Sequence, residues 1–374
     1  MAQSNIADPR LFKSHDQKTK LYLRSSVGGH GLVAEITVSA ATARTLRTQI
    51  DLLRTLPDYD AEPEMFEAAA EAALALAAPD LVEAIRAVTA LPDRFPALVI
   101  IRGLQVCDDP VPTPLDGVVR QHDVAVEAAI LAGVMRHFGL AGTAFASEND
   151  GRLIRAVCPV MKVTDVASSQ GARADLTSHV DNGNFAIARS DDVHPEPFPV
   201  MNTFQFFTTI TRLAAVPMRV KLNDDVFARY DPRGADPSRL DLFDRLFEPL
   251  YCFASPPSHG GINWVHGLPV LVRSDDPRHG YAMRLHGDTT RASTPASTEA
   301  LALLKRALSL APEEVIYTRR GDVVGYVNMR VTHRREPFHA RYDESDRYYL
   351  RVYGNRVDDV ARWADFMSRN GRVM

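Results

Sequence analysis

The sequence predicts a mainly β protein with flanking helices: a sandwich or jelly-roll core with N-terminal α/β elements packed outside it. Three observations predict this class. From about residue 143 onward the chain breaks into short β-rich runs separated by turns. Before that point, helical patterns alternate with single compact apolar runs. No linker is long or polar enough to separate two domains, so the 374 residues read as one unit. Within it, residues 1–140 or so form a helix-rich N-terminal part. About 143–355 form the core with inserted helical segments, and 356–374 a C-terminal helix.

The elements can be taken in chain order. Residues 34–55, AEITVSAATARTLRTQIDLLRT, read as a strand passing into a helix, and the Pro- and acid-rich LPDYDAEPE is a loop. An Ala-rich helical segment spans roughly 64–90, with Phe66, Leu74, Leu81, Ile85 and Val88 near helical spacing. PALVIIRGL (96–104) is a compact apolar run suited to a buried strand. CDDPVPTPLD (107–116) carries Pro110, Pro112 and Pro114 and must be an extended connector. Residues 120–138 are again helical. The β-rich runs after them are LIRAVCPVMKV, VMNTFQFFTTITRL, MRVKL, LPVLVRS, EVIYTRRGDVVGYVNMRVTH and RYYLRVYG. One helix interrupts them at about 295–310, announced by Thr294–Pro295 and carrying Leu301, Leu304 and Leu308.

Composition excludes several classes. With 45% hydrophobic and 24% charged residues, this is an ordinary globular composition. A net charge of −4, with Lys and Arg dispersed, leaves no electrostatic footprint for nucleic acid. No apolar window approaches the ~18 residues of a membrane span, and the polar N-terminus lacks the apolar stretch of a signal peptide. Cys107, Cys158 and Cys252 are far apart and form no C-x-x-C pair, against both a disulfide framework and a structural zinc site. Together these lead us to expect a cytoplasmic protein with no nucleic-acid or membrane partner. They leave the oligomeric state open.

The chemistry-bearing residues begin in DLTSHVDNGNF (175–185). His179 and Asp181 are two apart on a strand-like segment and so share a face. Such a pair is either a solvated patch or the start of a metal site on an inner wall. A facial 2-His-1-carboxylate site for Fe(II) needs a third ligand from a distant strand. His333, in NMRVTHRREPFHARYDESDRYYLRVYG, is the best placed of the twelve histidines because an arginine-bearing, strand-like segment lies just beyond it. In that segment Arg347 and Arg351 are four apart with Tyr349 between them. They are either cations of an edge strand in water or, facing inward, receptors that need anions to meet them. RRGD (319–322) reads as a turn and strand start, and His259 in PPSHGG as a loop residue.

The order H-x-D, a long insert, then N-x-R-x-x-H-x-R-x-x-F-x-x-R-Y-D-x-x-D-R-Y resembles the Fe(II)/2-oxoglutarate dioxygenases of the taurine dioxygenase superfamily. It is most similar to the clavaminate synthase-like branch, which includes amino-acid hydroxylases acting on arginine and asparagine. PALVIIRGL, the Pro-rich connector, ENDGRLIRAVCPV and TRRGDVVGYVN extend the likeness over roughly residues 95–353.

The resemblance implies a double-stranded β-helix core and iron held by His179, Asp181 and His333, with O2 as co-substrate. It puts the far carboxylate of 2-oxoglutarate on Arg347, and a threonine hydroxyl on the same co-substrate, for which Thr208 is chosen over Thr209. It puts the substrate carboxylate on Arg351 and the substrate's α-amino end near Glu148 and Asn149. The branch's acidic pair for a cationic substrate side chain falls on His286 and Asp288 in MRLHGD. One acid having become a histidine, a neutral polar or singly charged side chain suits that end better than a guanidinium. The chain also departs from the branch in HVDNGNF, where H-x-E is usual, and at Arg334, where the branch has glycine. The activity implied is oxidation of an unactivated C–H of a free amino acid or similar small carboxylate, by hydroxylation or else by desaturation or cyclisation, with release of succinate and CO2. Asp181 disfavours the halogenating variant, which leaves that position empty for halide. The other readings of the same residues are a non-catalytic small-anion-binding protein and a zinc hydrolase, the latter having no need of a dicarboxylate clamp.

Overall fold

A computed structural model describes residues 18–107, 109–144, 149–181, 204–209, 216–230, 237–254, 264–273, 280–287 and 289–356. Among the described residues the first elements are β1 (Lys20–Ser25) and β2 (Leu32–Thr37), then α1 (Ala40–Thr48), α2 (Ile50–Arg54), α3 (Pro63–Ala77) and α4 (Pro79–Thr89). Next come β3 (Leu98–Arg102), α5 (Gln121–His137), β4 (Leu140–Thr143), β5 (Ile154–Val157), β6 (Leu176–His179), β7 (Phe204–Thr209) and β8 (Met218–Leu222). After these are α6 (Asn223–Tyr230), α7 (Pro237–Arg245), β9 (Tyr251–Ala254), β10 (Trp264–Leu268), β11 (Leu271–Arg273), β12 (Tyr281–Met283) and β13 (Thr290–Ala292). The last elements among the described residues are α8 (Pro295–Leu310), β14 (Glu314–Ile316), β15 (Val323–Val327), β16 (Val331–Arg335) and β17 (Tyr349–Arg356).

Local chemistry sets the helix boundaries. Ser39 Oγ caps α1 by accepting from the Thr42 amide at 3.0 Å. The Ala-rich segment predicted as one helix is two, because Ala78 precedes Pro79 and takes an extended φ of −140°. Thr294 and Ser297 form a reciprocal capping box at the start of α8, with Pro295 in the first turn. The helices α6 and α7, in a region read as β-rich, are additions to the predicted set. The predicted C-terminal helix lies outside the described residues, apart from Arg356 at the end of β17.

Two sheets build the core. The larger runs β1-β2-β3-β15-β7-β17-β4, with β5 also paired to β17; the smaller runs β14-β8-β16-β6. Strand alternation gives the large sheet two different faces. On one, Val99, Ile101, Phe206, Val323, Leu350 and Val352 pack with Phe66, Leu74, Leu81 and Leu131 of the helical layer. On the other, Leu98, Ile100, Phe207, Val324, Tyr326 and Tyr349 pack against Val220, Leu222, Ile316 and Val331 of the small sheet. The helix α5 is buried from Val124 to Met135 because it lies between this sheet and the other helices, which explains its apolar character all round. A separate cluster gathers α6, α7 and α8 with the sheets β10-β9-β13 and β11-β12. The N-terminal helices pack outside as expected, but β1, β2 and β3 do not. They extend the large sheet through a parallel β2–β3 pairing, since the apolar run of β3 is buried on both faces.

RRGD is a turn, as predicted. Asp322 Oδ2 accepts from the Arg319 amide at 2.9 Å and from Arg102 at 2.6 Å. Gly321 has φ +77°, and a Cβ there would collide with the Gln105 backbone nitrogen. Left-handed backbone at a non-glycine residue costs about 1–3 kcal/mol before any clash is counted. Gly321→Ala is therefore expected to lower stability by at least that amount in urea unfolding. An unchanged midpoint would mean that this turn relaxes freely.

Candidate metal centre

The small sheet brings two histidines face to face. β6 and β16 are antiparallel neighbours, and His179 is the register partner of His333. Cross-strand partners lie within side-chain contact, and the two rings are 4.2 Å apart between centroids. Asp181, two residues beyond His179, turns its carboxylate to the same point. Its Oδ1 is 3.3 Å from His179 Nε2 and 3.6 Å from His333 Nε2. One ligand atom from each of the three lies within 4.8 Å of the others.

Protonation suits a divalent cation. His179 Nδ1 is 2.7 Å from the Thr177 carbonyl oxygen, which can only accept, so Nδ1 carries a proton and Nε2 is the nitrogen that would offer its lone pair to a metal. Burial, and then the neighbouring His179, push the His333 pKa below its ordinary value, favouring the neutral imidazole that binds metals. Burial alone would raise the Asp181 pKa, but His333, His179 and Arg351 together hold it well below the usual carboxylate range. Two imidazoles, neutral once they bind a metal, and one carboxylate make a donor set that leaves positions open on a six-coordinate metal.

The opposite wall comes from the large sheet. Arg351 Nη1 donates to Asp181 Oδ2 at 3.2 Å, and the Tyr353 hydroxyl donates to the same oxygen at 3.4 Å. The sequence offers no obvious internal anion for Arg351; the structure corrects that expectation, since Asp181 is one. Arg347 is different. Its guanidinium is buried over the rings of Phe338 and Tyr349, at 5.2 and 5.4 Å, and it has no ion pair or hydrogen bond among the described residues. Its Nε is fully enclosed without a partner, and burial lowers its pKa.

The other predicted residues divide. His286 forms a lone β-bridge with His179, and their rings are 5.2 Å apart, so it borders the triad. Thr208 does not join the site. It pairs with Leu350 and Val323, both on the helix-packed face, and position 209 is the register partner of Tyr349. Glu148, Asp288 and His259 lie outside the described residues, as does the side chain of Asn149.

Sequence reasoning misses four contributors. Arg155 on β5 is the register partner of Arg351 and is buried; burial first and Arg351 second press its pKa down to about 10. Asn328 bonds both backbone groups of Asp181, Gln205 supports Asn328, and Tyr353 holds the carboxylate. Alternation along LIRAV and the N-x-R-x-x-H spacing are the only sequence signals for the first two.

Comparison with known proteins agrees with this architecture. The structure of an asparagine oxygenase with Fe(II), (2S,3S)-3-hydroxyasparagine and succinate superposes with TM-score 0.67 at 21% identity, over 85% of this chain and 92% of that one. The non-heme iron oxygenase OrfP, with Fe, succinate and (3S)-hydroxy-L-Arg, gives TM-score 0.70 at 21% identity over 91% and 98%. The chain has the fold of these iron oxygenases. In sequence it is 33% identical over 120 residues to clavaminate synthase 2 from Streptomyces clavuligerus, a stretch that spans 31% of this chain and 34% of that protein. No family model matches the chain. No helix among the described residues is long and apolar enough to cross a membrane.

Proposed function

We propose that this protein is an Fe(II)/2-oxoglutarate-dependent oxygenase of the clavaminate synthase-like branch, a single catalytic domain on a jelly-roll core, which hydroxylates a free amino acid or a similar small carboxylate. The observation that carries the reading is the His179–Asp181–His333 cluster with buried Arg351 bonded to Asp181 and buried Arg155 paired beside Arg351. Similarity to amino-acid oxygenases supports the substrate class. A zinc hydrolase would account for the triad and leave Arg347 without purpose. A passive anion receptor would account for Arg347 and leave the converging histidines without purpose.

The residues fit the metal: three donors converge, and the lone pair of His179 is aimed by its bond to Thr177. Iron and 2-oxoglutarate, when bound, would supply the oxidising power from O2, with succinate and CO2 as by-products. The protein's own residues do the rest. Asp181 offers Oδ1 to the metal while Arg351 and Tyr353 occupy Oδ2. Arg347 presents a planar two-donor fork to the far carboxylate of 2-oxoglutarate, an anion that no described residue supplies. Arg351 also receives the substrate's carboxylate, and His286 borders the substrate's other end. The close-packed apolar layer beneath Tyr349 and Phe207 excludes water from this face.

Anaerobic addition of Fe(II) and 2-oxoglutarate is expected to give a weak visible metal-to-ligand charge-transfer band. Neither of the other two readings produces one, so its absence would end this one. Substrate-stimulated succinate release, screened over the free amino acids, then names the substrate. Arg351→Ala is expected still to give a band, displaced and at higher Fe(II) because Asp181 loses its Oδ2 partner, while cutting substrate oxidation at least 100-fold and leaving succinate release uncoupled from it. An Arg351→Ala enzyme that handles its substrate normally would remove the carboxylate requirement from the proposal.

A further inference from the structure

We propose that Asn328 is a positioning residue that fixes the Asp181 carboxylate in a one-oxygen binding geometry, and so sets the number of free positions at the metal. The proposal rests on the iron-site reading above and concerns a residue with no contact to the metal position itself. Asn328 treats the peptide of Asp181 as a strand would: Asp181 N donates to Asn328 Oδ1 at 3.0 Å, and Asn328 Nδ2 donates to Asp181 O at 2.8 Å. Only a carboxamide of this length offers one donor and one acceptor side by side. These bonds lie where ladder support ends, since the last β6–β16 register pair is at His179 and Val180 already turns its amide to Leu285.

Asn328 is itself held. Gln205 Nε2 donates to Asn328 Oδ1 at 2.9 Å, and the Tyr326 hydroxyl donates to Gln205 Oε1 at 3.4 Å. Asn328 is 1% exposed and Gln205 0%, so water does not compete for these groups. The one-turn helix Asn328–Arg330 is tied on both sides, by Asn223 Nδ2 to the Met329 carbonyl at 2.7 Å and by Arg330 to the Phe95 carbonyl at 2.8 Å. Five residues later the same segment supplies His333. One rigid turn thus connects the third ligand's strand, the large sheet through Gln205, and the end of the strand that carries the other two ligands.

The consequence is geometric. With its backbone pinned, Asp181 splits its two oxygens, Oδ1 toward the histidines and Oδ2 toward Arg351 and Tyr353. Without Asn328 the end of the strand gains freedom, and the carboxylate can turn both oxygens to the metal or withdraw to the arginine.

The test is anaerobic titration with Fe(II), read through the charge-transfer band with 2-oxoglutarate, on wild type, Asn328→Asp, Asn328→Ala and Gln205→Ala. Asn328→Asp keeps the volume and loses the donor. Loss of an outer-shell partner costs about 10–100-fold in metal affinity, and that is the expected weakening for both Asn328 variants, together with a displaced band. Gln205→Ala should move both readouts the same way by less, and it carries the test if the Asn328 variants fail to fold. Variants whose melting temperature falls while affinity and band stay at wild-type values would reduce Asn328 to a structural residue and overturn the proposal. A wild-type protein that gives no band overturns the iron-site reading instead.

Discussion

His333→Ala and His179→Ala are each expected to weaken Fe(II) binding by more than about 100-fold, beyond the cost of losing an outer-shell partner, and to abolish turnover. The reason is the cross-strand pairing of these histidines. No other imidazole or acid among the described residues completes the cluster, so no neighbour can take a lost position. His286 supplies the control. Its ring is as near to His179 as 5.2 Å, yet it is not among the converging donors, so His286→Ala should retain the metal. Equal metal loss in His286→Ala and His333→Ala would mean that the triad is wrongly assigned. Circular dichroism on the apo forms separates metal loss from unfolding, since His179 and His333 also contribute to packing between β6 and β16.

Part of this centre is legible in the sequence because it depends on short spacing. His179 and Asp181 are two apart, and that alone puts them on one face of a strand. The strands around PALVIIRGL and RYYLRVYG, and the helix after Thr294, are readable from apolar runs and caps for the same local reason. The illegible part depends on pairing or on phase. The choice between Thr208 and Thr209 is a question of strand phase, which a run of residues suited to either face cannot settle; only the pairing with Leu350 does. Arg155 meets Arg351 through a β5–β17 register that no local pattern encodes. Asp181 as the partner of Arg351 joins the two sheets, and the sequence does not say which residues face each other across that gap. The strand character of β2 and β3 is readable from their apolar runs, but their place in the large sheet rests on a parallel pairing between segments some sixty residues apart.

Arg347 carries the second large effect, and its two consequences have opposite signs. A buried guanidinium with no counter-ion among the described residues is costly to the folded apo protein, because none of those residues repays its desolvation with an anion. Phe338 and Tyr349 offset some of this through their ring faces, each contributing about 0.5–2 kcal/mol. Replacing Arg347 by Met keeps the stem's packing and removes the charge, so the apo protein should melt at the same temperature or higher. 2-Oxoglutarate binding should suffer in the same variant. A hydrogen bond to a charged group contributes about 1.5–3 kcal/mol, which sets a rise of roughly 10- to 100-fold in the 2-oxoglutarate KM. Arg347→Lys should recover only part of it, because a point charge cannot reproduce the two-donor fork. Fe(II) affinity measured without co-substrate should hardly move in either variant, and stabilisation of the protein by added 2-oxoglutarate should vanish. Arg335 is the alternative clamp, but its donors already serve the carbonyls of Ala172, Ala174 and Glu336. If Arg347→Met left the KM unchanged while Arg335→Met raised it, the clamp would belong to Arg335. The buried charge of Arg347 would then need another anion to explain it.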